Sequence, residues 1–213
     1  MNNLPEPFNS PYNLYVLRHG QSRANIARVQ GHERIGMIVS KPENGVDDFG
    51  LTEEGRRQVI ESMTEARDVG HLNGKNTFIY TSDFKRTVET AEIAKRILGV
   101  RNFVRTAALR ERDFGTLERD SAEYYARIWL RDEHDPDHHE YQVESVNQVL
   151  ARTTTLIARI LKAQSIFRDN IVFVTHGDPG QIIETAFRKM SPGKHRTLEP
   201  LQTAELRPLH LIA

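Results

Sequence analysis

Cysteine is absent from this 213-residue chain, which excludes disulfides, thiolate catalysis and zinc sites built on sulfur. Neither sign of charge is in excess. The 29 Lys and Arg balance 29 Asp and Glu, so nothing electrostatic recommends nucleic acid or an anionic membrane as a partner. No apolar run approaches the ~20 residues that a membrane-spanning helix needs. The stretch from Met1 to Asn13 carries Pro5, Pro7 and Pro11 but no basic segment leading into an apolar one. It reads as an extended arm, not a secretory signal, and cytoplasm is the default location. Internal repeats and linkers are lacking too, so residues 1–213 are expected to form one domain, long enough to bury a substantial core.

What is present is a repeated layout of short apolar strand, histidine and glycine. The first copy is Leu14-Tyr15-Val16-Leu17-Arg18-His19-Gly20 and the second is Ile171-Val172-Phe173-Val174-Thr175-His176-Gly177. Each run is β-rich and precedes a helical stretch, which places both His-Gly pairs where a strand ends and a helix begins. In open α/β sheets, ligands gather at that edge.

Between the two copies, strands and helices alternate. Helix is predicted from Ser22 to about Val29, then a long loop over Gly31 to Gly50. Thr52 is expected to cap a helix with Glu53 and Glu54 in its first turn. Thr77–Thr81 reads as a strand. Ser82 or Asp83 should cap the next helix, which Gly99 ends. A strand near Phe103 to Thr106 and helices over Ser121 to Asp132, Glu144 to Ile166 and Pro179 to Lys189 come next, with a last strand near Thr203 to Leu206. The expected architecture is α/β: a three-layer sandwich whose mostly parallel central sheet is covered by helices on both faces.

Arg18-His19-Gly20-Gln21-Ser22-Arg23-Ala24-Asn25 resembles the R-H-G-[EQ]-[ST]-x-x-N motif of the histidine phosphatase superfamily, the phosphoglycerate-mutase-like proteins. Four more segments resemble the family's motifs in order. Asp48 to Gly55 is similar to D-x-x-L-T-x-x-G, and Ser82 to Ala91 to S-D-x-x-R-x-x-[EQ]-T-A. Leu109 to Gly115 is similar to L-x-E-x-x-[FY]-G, and Thr175-His176-Gly177 to S/T-H-G. One such tripeptide is weak evidence; five in order are strong.

The resemblance implies that His19 attacks phosphorus to form a phosphohistidine. A neutral imidazole is required, with its second nitrogen donating to a backbone carbonyl. Arg18, Arg86 and His176 would surround the non-bridging oxygens, where arginine's planar fork can bond two at once. Glu111 occupies the proton-donor position and needs a raised pKa to serve. Gly20 and Gly177 would let backbone amides approach the anion, with Gln21, Asn25, Gln30 and Gly31 also on the substrate. No metal or other cofactor is expected, because arginines and histidines supply the positive charge. The implied partner is a small phosphorylated substrate, without nucleic acid or membrane; oligomeric state stays open.

Bland alternatives stand beside these roles. Arg110 to Asp113 alternate in charge, as surface ion pairs do. His134, His138 and His139 lie among acids in what reads as a solvated loop, and His32, His71, His195 and His210 have no special context. Tyr124, Tyr125 and Trp129 read as packing in a region that often rims the family's substrate site. An insertion over 32–47 separates Gln30-Gly31 from Asp48, and loops of this length tend to be functional or mobile. The expected activity is phosphomonoester hydrolysis. The alternatives are a cofactor-dependent phosphoglycerate mutase and a non-catalytic protein that binds phosphorylated ligands.

Overall fold

Strand and helix alternate along the chain as the hydrophobic pattern predicts. The computed structural model describes residues 12–33, 35–163 and 169–210. Its elements are β1 (Asn13–Arg18), α1 (Arg23–Ile26), α2 (Pro42–Gly45), α3 (Glu53–Asp68), β2 (Thr77–Thr81), α4 (Lys85–Leu98), β3 (Phe103–Arg105), α5 (Tyr124–His134), α6 (Val146–Ala163), β4 (Asn170–Thr175), α7 (Gly177–Phe187) and β5 (Leu206–Pro208). The five strands form one sheet in the order β3-β2-β4-β1-β5. The first four are mutually parallel, and only β5 runs antiparallel, against β1.

Side chains alternate across a strand, and the two faces of the sheet bury separate clusters. Leu17, Ile79, Val172 and Val174 meet Val59 and Met63 of α3 and Ala91 and Ala94 of α4. Leu14, Val16, Ile171 and Phe173 meet Ile157 and Ile160 of α6 and Ile183 and Phe187 of α7. Every residue of β4 is buried. Each fully buried Val, Leu, Ile or Phe stabilises by roughly 1.5–3 kcal/mol, so β4 is the apolar spine of the fold. Its C-terminal end carries His176.

Local chemistry sets the helix ends. Thr52 Oγ1 accepts from the Gly55 amide at 3.0 Å and caps α3. Gly99, at φ 72°, closes α4 in the left-handed conformation. The turn after β1 crosses the first turn of α3 at backbone contact. A Cβ on Gly20 would lie 2.3 Å from the Gly55 carbonyl oxygen, and one on Gly55 would lie 2.0 Å from that of Gln21.

Several elements depart from expectation for reasons visible in their side chains. Neither Ser82 nor Asp83 is the N-cap of α4, which is Phe84. Asp83 is drawn off by Arg110 at 2.6 and 2.7 Å, and Ser82 by His176. α6 begins at Val146, after Ser145 and Gln148 cap it reciprocally; its predicted end at Ile166 lies outside the described residues, as does most of the arm from Met1 to Asn13. α7 starts two residues before Pro179, and β5 starts only at Leu206.

The insertion is not a free loop. Arg28 pairs with Ile35 and Met37 with Ser121 as antiparallel bridges, and Ile38, Val39 and Ser40 are buried. α2 lies within it. The Glu118 carboxylate accepts from Ser40 N, Ser40 Oγ, Lys41 N and Asn44 Nδ2 at 2.7–3.2 Å.

Candidate active site

β1 and β4 are neighbours with Arg18 opposite Thr175, so the residues just beyond each strand meet at one edge. His19 and His176 are both buried, with ring centroids 5.2 Å apart. Arg86, in the first turn of α4, reaches between them. Its Nε lies 3.2 Å from His19 Nε2 and 3.1 Å from His176 Nδ1, so one N–H is shared by two imidazole lone pairs. Arg86 Nη2 donates to the Val39 carbonyl at 2.8 Å, which makes the insertion part of the frame that aims this guanidinium.

The same contacts fix both tautomers. His19 Nδ1 is 2.8 Å from the Gly20 carbonyl and donates to it, which leaves the nucleophilic lone pair on Nε2, where it accepts from Arg86. His176 accepts at Nδ1 and donates from Nε2 to Ser82 Oγ at 3.1 Å. Burial, and then the Arg86 charge, push both imidazole pKa values well below the usual histidine range. Both rings are therefore neutral at physiological pH.

Beside them opens a cavity of about 280 Å³, lined by Arg18, His19, Arg86, Glu111, Asn25 and Gly177 among others. Two buried nitrogens of the arginines that line it, Arg18 Nε and Arg86 Nη1, have no hydrogen-bond partner among the described residues. A buried unpaired donor is costly unless a ligand satisfies it, and two on guanidinium groups call for an anion. Burial lowers both arginine pKa values, with Glu111 the strongest opposing influence, yet guanidinium stays charged. Gly177 is the first residue of α7, so the positive end of that helix dipole borders the cavity as well. Asn25 commits its Oδ1 to the Ser22 amide and hydroxyl in a capping box on α1, which leaves Nδ2 as its free donor.

Glu111 also lines the cavity, with Oε2 3.9 Å from His176 Nδ1. Burial, reinforced by the nearby Asp178 charge, lifts its pKa from 4.5 to about 7, against the opposing pull of Arg86. Arg152 holds the loop in place. It donates to the Ala108 and Glu111 carbonyls at 2.8 and 3.2 Å while paired with Glu144 at 2.7 and 3.0 Å. Asp178 accepts from Trp129 Nε1 at 3.0 Å on both oxygens. Burial alone would raise its pKa, but His195, Arg112 and Arg196 together hold it below the usual carboxylate range.

Arg18, His19, Arg86, Glu111, Asn25 and Gly177 thus line one cavity, with His176 beside it against Arg86 and Glu111, and four other expected site residues do not line it. The Gly20 amide is spent on Thr90 Oγ1 at 3.3 Å, and its lack of a side chain serves the α3 contact. The Gln21 amide donates to Gln58 and its Oε1 accepts from Thr52. Gln30 and Gly31 are exposed at the tip of the turn that the Arg28–Ile35 bridge closes; Ile35 and Gly36 line the cavity in their stead.

Other residues carry more than their sequence context suggested. Arg112, from the alternating-charge run, is fully buried in a bidentate pair with Asp132 at 2.6 and 2.7 Å. His138 is buried too, 2.8 Å from Asp132 Oδ1, which corrects the solvated-loop expectation. His195 is buried 3.8 Å from Asp178, and His32 faces Glu123 and Asp120. Ser82, Asp178 and Arg196 went unnoticed as site residues, although Asp178 stands directly after a His-Gly pair. Among the described residues no cluster of His, Asp and Glu is placed to hold a metal ion.

Comparison with known proteins identifies the family and the fold. The profile of the histidine phosphatase superfamily (branch 1) matches residues 14–211. The probable phosphoglycerate mutase GpmB of Klebsiella pneumoniae subsp. pneumoniae is 32% identical over 169 residues, covering 77% of this chain and 69% of that protein. The fold is shared with mycobacterial glucosyl-3-phosphoglycerate phosphatase in its complex with VO3, at TM-score 0.70, 23% identity and 92% coverage of both chains. It is shared also with phosphoserine phosphatase from Entamoeba histolytica in complex with 3-phosphoglyceric acid, at TM-score 0.69, 22% identity and coverage of 92% and 89%. The chain belongs to the histidine phosphatase superfamily.

Proposed function

We propose that this protein hydrolyses a small phosphomonoester through a phosphohistidine on His19. The observation that carries this is the His19 ring itself. Its Nδ1 is tied to the Gly20 carbonyl and its Nε2 carries a lone pair beside Arg86, next to two unpartnered guanidinium donors. That is a neutral nucleophile facing an anion receptor.

In the first step His19 Nε2 bonds to phosphorus, the P–O ester bond breaks, and Glu111 gives its proton to the departing alkoxide. Arg18 and Arg86 take up the negative charge on the non-bridging oxygens, the dominant need of phosphoryl transfer, while neutral His176, its N–H spent on Ser82, holds Arg86 in position. In the second step water attacks phosphorus, Glu111 carboxylate accepts its proton, the N–P bond breaks and phosphate leaves. Glu111 ends the cycle protonated, as it began. A pKa near 7 suits both duties, since donor and acceptor forms are each accessible at neutral pH.

The test is turnover of p-nitrophenyl phosphate by the wild type and by His19→Ala, with phosphate trapped on His19 by rapid acid-free quenching. Loss of activity on the order of 10⁴ or more is expected. A His19→Ala protein that keeps most of its turnover refutes the mechanism.

A further inference from the structure

We infer that Tyr125 is a further catalytic residue, its hydroxyl donating to the leaving-group oxygen of the ester alongside Glu111. This rests on the hydrolase mechanism proposed above. Tyr125 lies in the first turn of α5 and lines the cavity that holds His19, Arg86 and Glu111. Its ring is fixed on two sides. Trp129 stacks on it with planes 6° apart and centroids 5.3 Å apart, and Phe114 meets it edge-on at 4.8 Å. Trp129 is itself anchored by Asp178 and covered by the Arg196 guanidinium, 3.8 Å from its ring centroid. The ring is therefore held, not merely tolerated, at this place.

The hydroxyl is the unexplained part. Tyr125 is half-buried, and a tyrosine O–H withdrawn from bulk water usually finds a partner, yet no hydrogen bond joins this one to any described residue. The oxygen is not sealed off from solvent, and Tyr125 lines the cavity. The charge it senses most is that of Glu111, ahead of Asp178, Arg86 and Arg18. Tyr125 and Glu111 line the same cavity, so the hydroxyl and the acid face one bound ester. Burial drives the phenol pKa up from its ordinary value, so the group stays protonated and remains a donor at any working pH. Phe114, which ends the acid loop and contacts the same ring, has no hydroxyl to offer; Tyr125 brings one from a different element.

Tyr125→Phe keeps both ring contacts and removes one oxygen. Wild type, Tyr125→Phe and His19→Ala are compared on an alkyl phosphate and on p-nitrophenyl phosphate, with thermal unfolding as a control. Tyr125→Phe should keep the wild-type Tm and lower kcat/KM for the alkyl ester by about 10- to 100-fold, the range between an ordinary hydrogen bond and an oxyanion-hole donor. On p-nitrophenyl phosphate the loss should be under about threefold, because nitrophenolate departs without help. Equal losses on both esters, or none on either, overturn the role assigned to Tyr125 while the hydrolase mechanism survives. A wild type without turnover of either ester overturns both.

Discussion

Glu111→Gln should make the protein more stable and less active, and the two effects should share one pH dependence. The carboxyl is held protonated in the fold, its pKa raised from 4.5 to about 7 by burial and by Asp178. Below the unfolded value both states carry the proton and nothing is lost. As pH rises from 4.5 through about 7 the unfolded chain gives up its proton first, so wild-type stability falls across that window. Above it, the fold carries a buried carboxylate. Each tenfold difference in proton affinity is worth about 1.4 kcal/mol, so the full cost is on the order of 3 kcal/mol. Glutamine cannot ionise and can still accept from the Arg112 amide, now 3.0 Å from Glu111 Oε1.

Urea unfolding at pH 5 and pH 8.5 reads the stability arm: a small difference between the proteins at pH 5 and a gain on the order of 3 kcal/mol for the variant at pH 8.5. The kinetic arm uses kcat/KM, which reports free-enzyme groups up to leaving-group departure. For an alkyl phosphate the wild-type profile should fall on the alkaline side near pH 7, and the variant should lose both the limb and most of the rate. For p-nitrophenyl phosphate the limb should be missing in both proteins. Parallel stability curves for the two proteins would refute the burial argument. A wild-type alkyl profile flat to pH 9 would refute the acid's identity.

Two further perturbations separate packing from chemistry. Gly20→Ala sets a Cβ 2.3 Å from the Gly55 carbonyl oxygen, whereas at Gly177 the nearest atom is Arg18 Cζ at 3.6 Å; Gly20→Ala should lower Tm and soluble yield, and Gly177→Ala should fold and keep turnover within about tenfold of the wild type, an ordinary van der Waals contact costing little. Arg112→Met strips Asp132 of its bidentate partner inside the fold, so urea unfolding should show a loss of about 3–5 kcal/mol; adding Asp132→Leu should recover part of it.

The fold was legible in the sequence because its signals are local. Apolar runs of five or six residues, Thr52 before a pair of glutamates and Gly99 after a periodic stretch each act within one turn of chain. The paired histidines were legible for the same reason, as each sits at the end of such a run. What escaped depends on residues distant in sequence. Asp83 failed to cap α4 because Arg110 claims it, 27 positions away. Arg112 looked like one of a row of surface charges, and only the arrival of Asp132 and the Glu144 carbonyl buries it. Gln30-Gly31 had the right letters, but a bridge between Arg28 and Ile35 turned them outward and brought Gly36 in. Pairings of this kind leave no periodicity to read.

Charge within the cavity bears on the fate of the phosphohistidine. The charged lining consists of Arg18, Arg86, Arg196, Glu111 and Asp178. Arg196 lies 3.8 Å from Asp178 and also donates to Gln181, so its charge is largely answered. Glu111 is neutral through most of the range below pH 7. Arg18 and Arg86 are what remain, two positive charges that match one phosphoryl dianion. A cofactor-dependent phosphoglycerate mutase must hold a bisphosphate, and a second dianion in a site of about 280 Å³ would go without a counter-charge, at a cost that low dielectric magnifies. Hydrolysis is therefore the expected outcome. Incubated with 3-phosphoglycerate and 2,3-bisphosphoglycerate, the protein should release inorganic phosphate and form little 2-phosphoglycerate. Rapid isomerisation with little free phosphate would show that some cation outside this lining reaches the second phosphoryl group, and would overturn the hydrolase assignment.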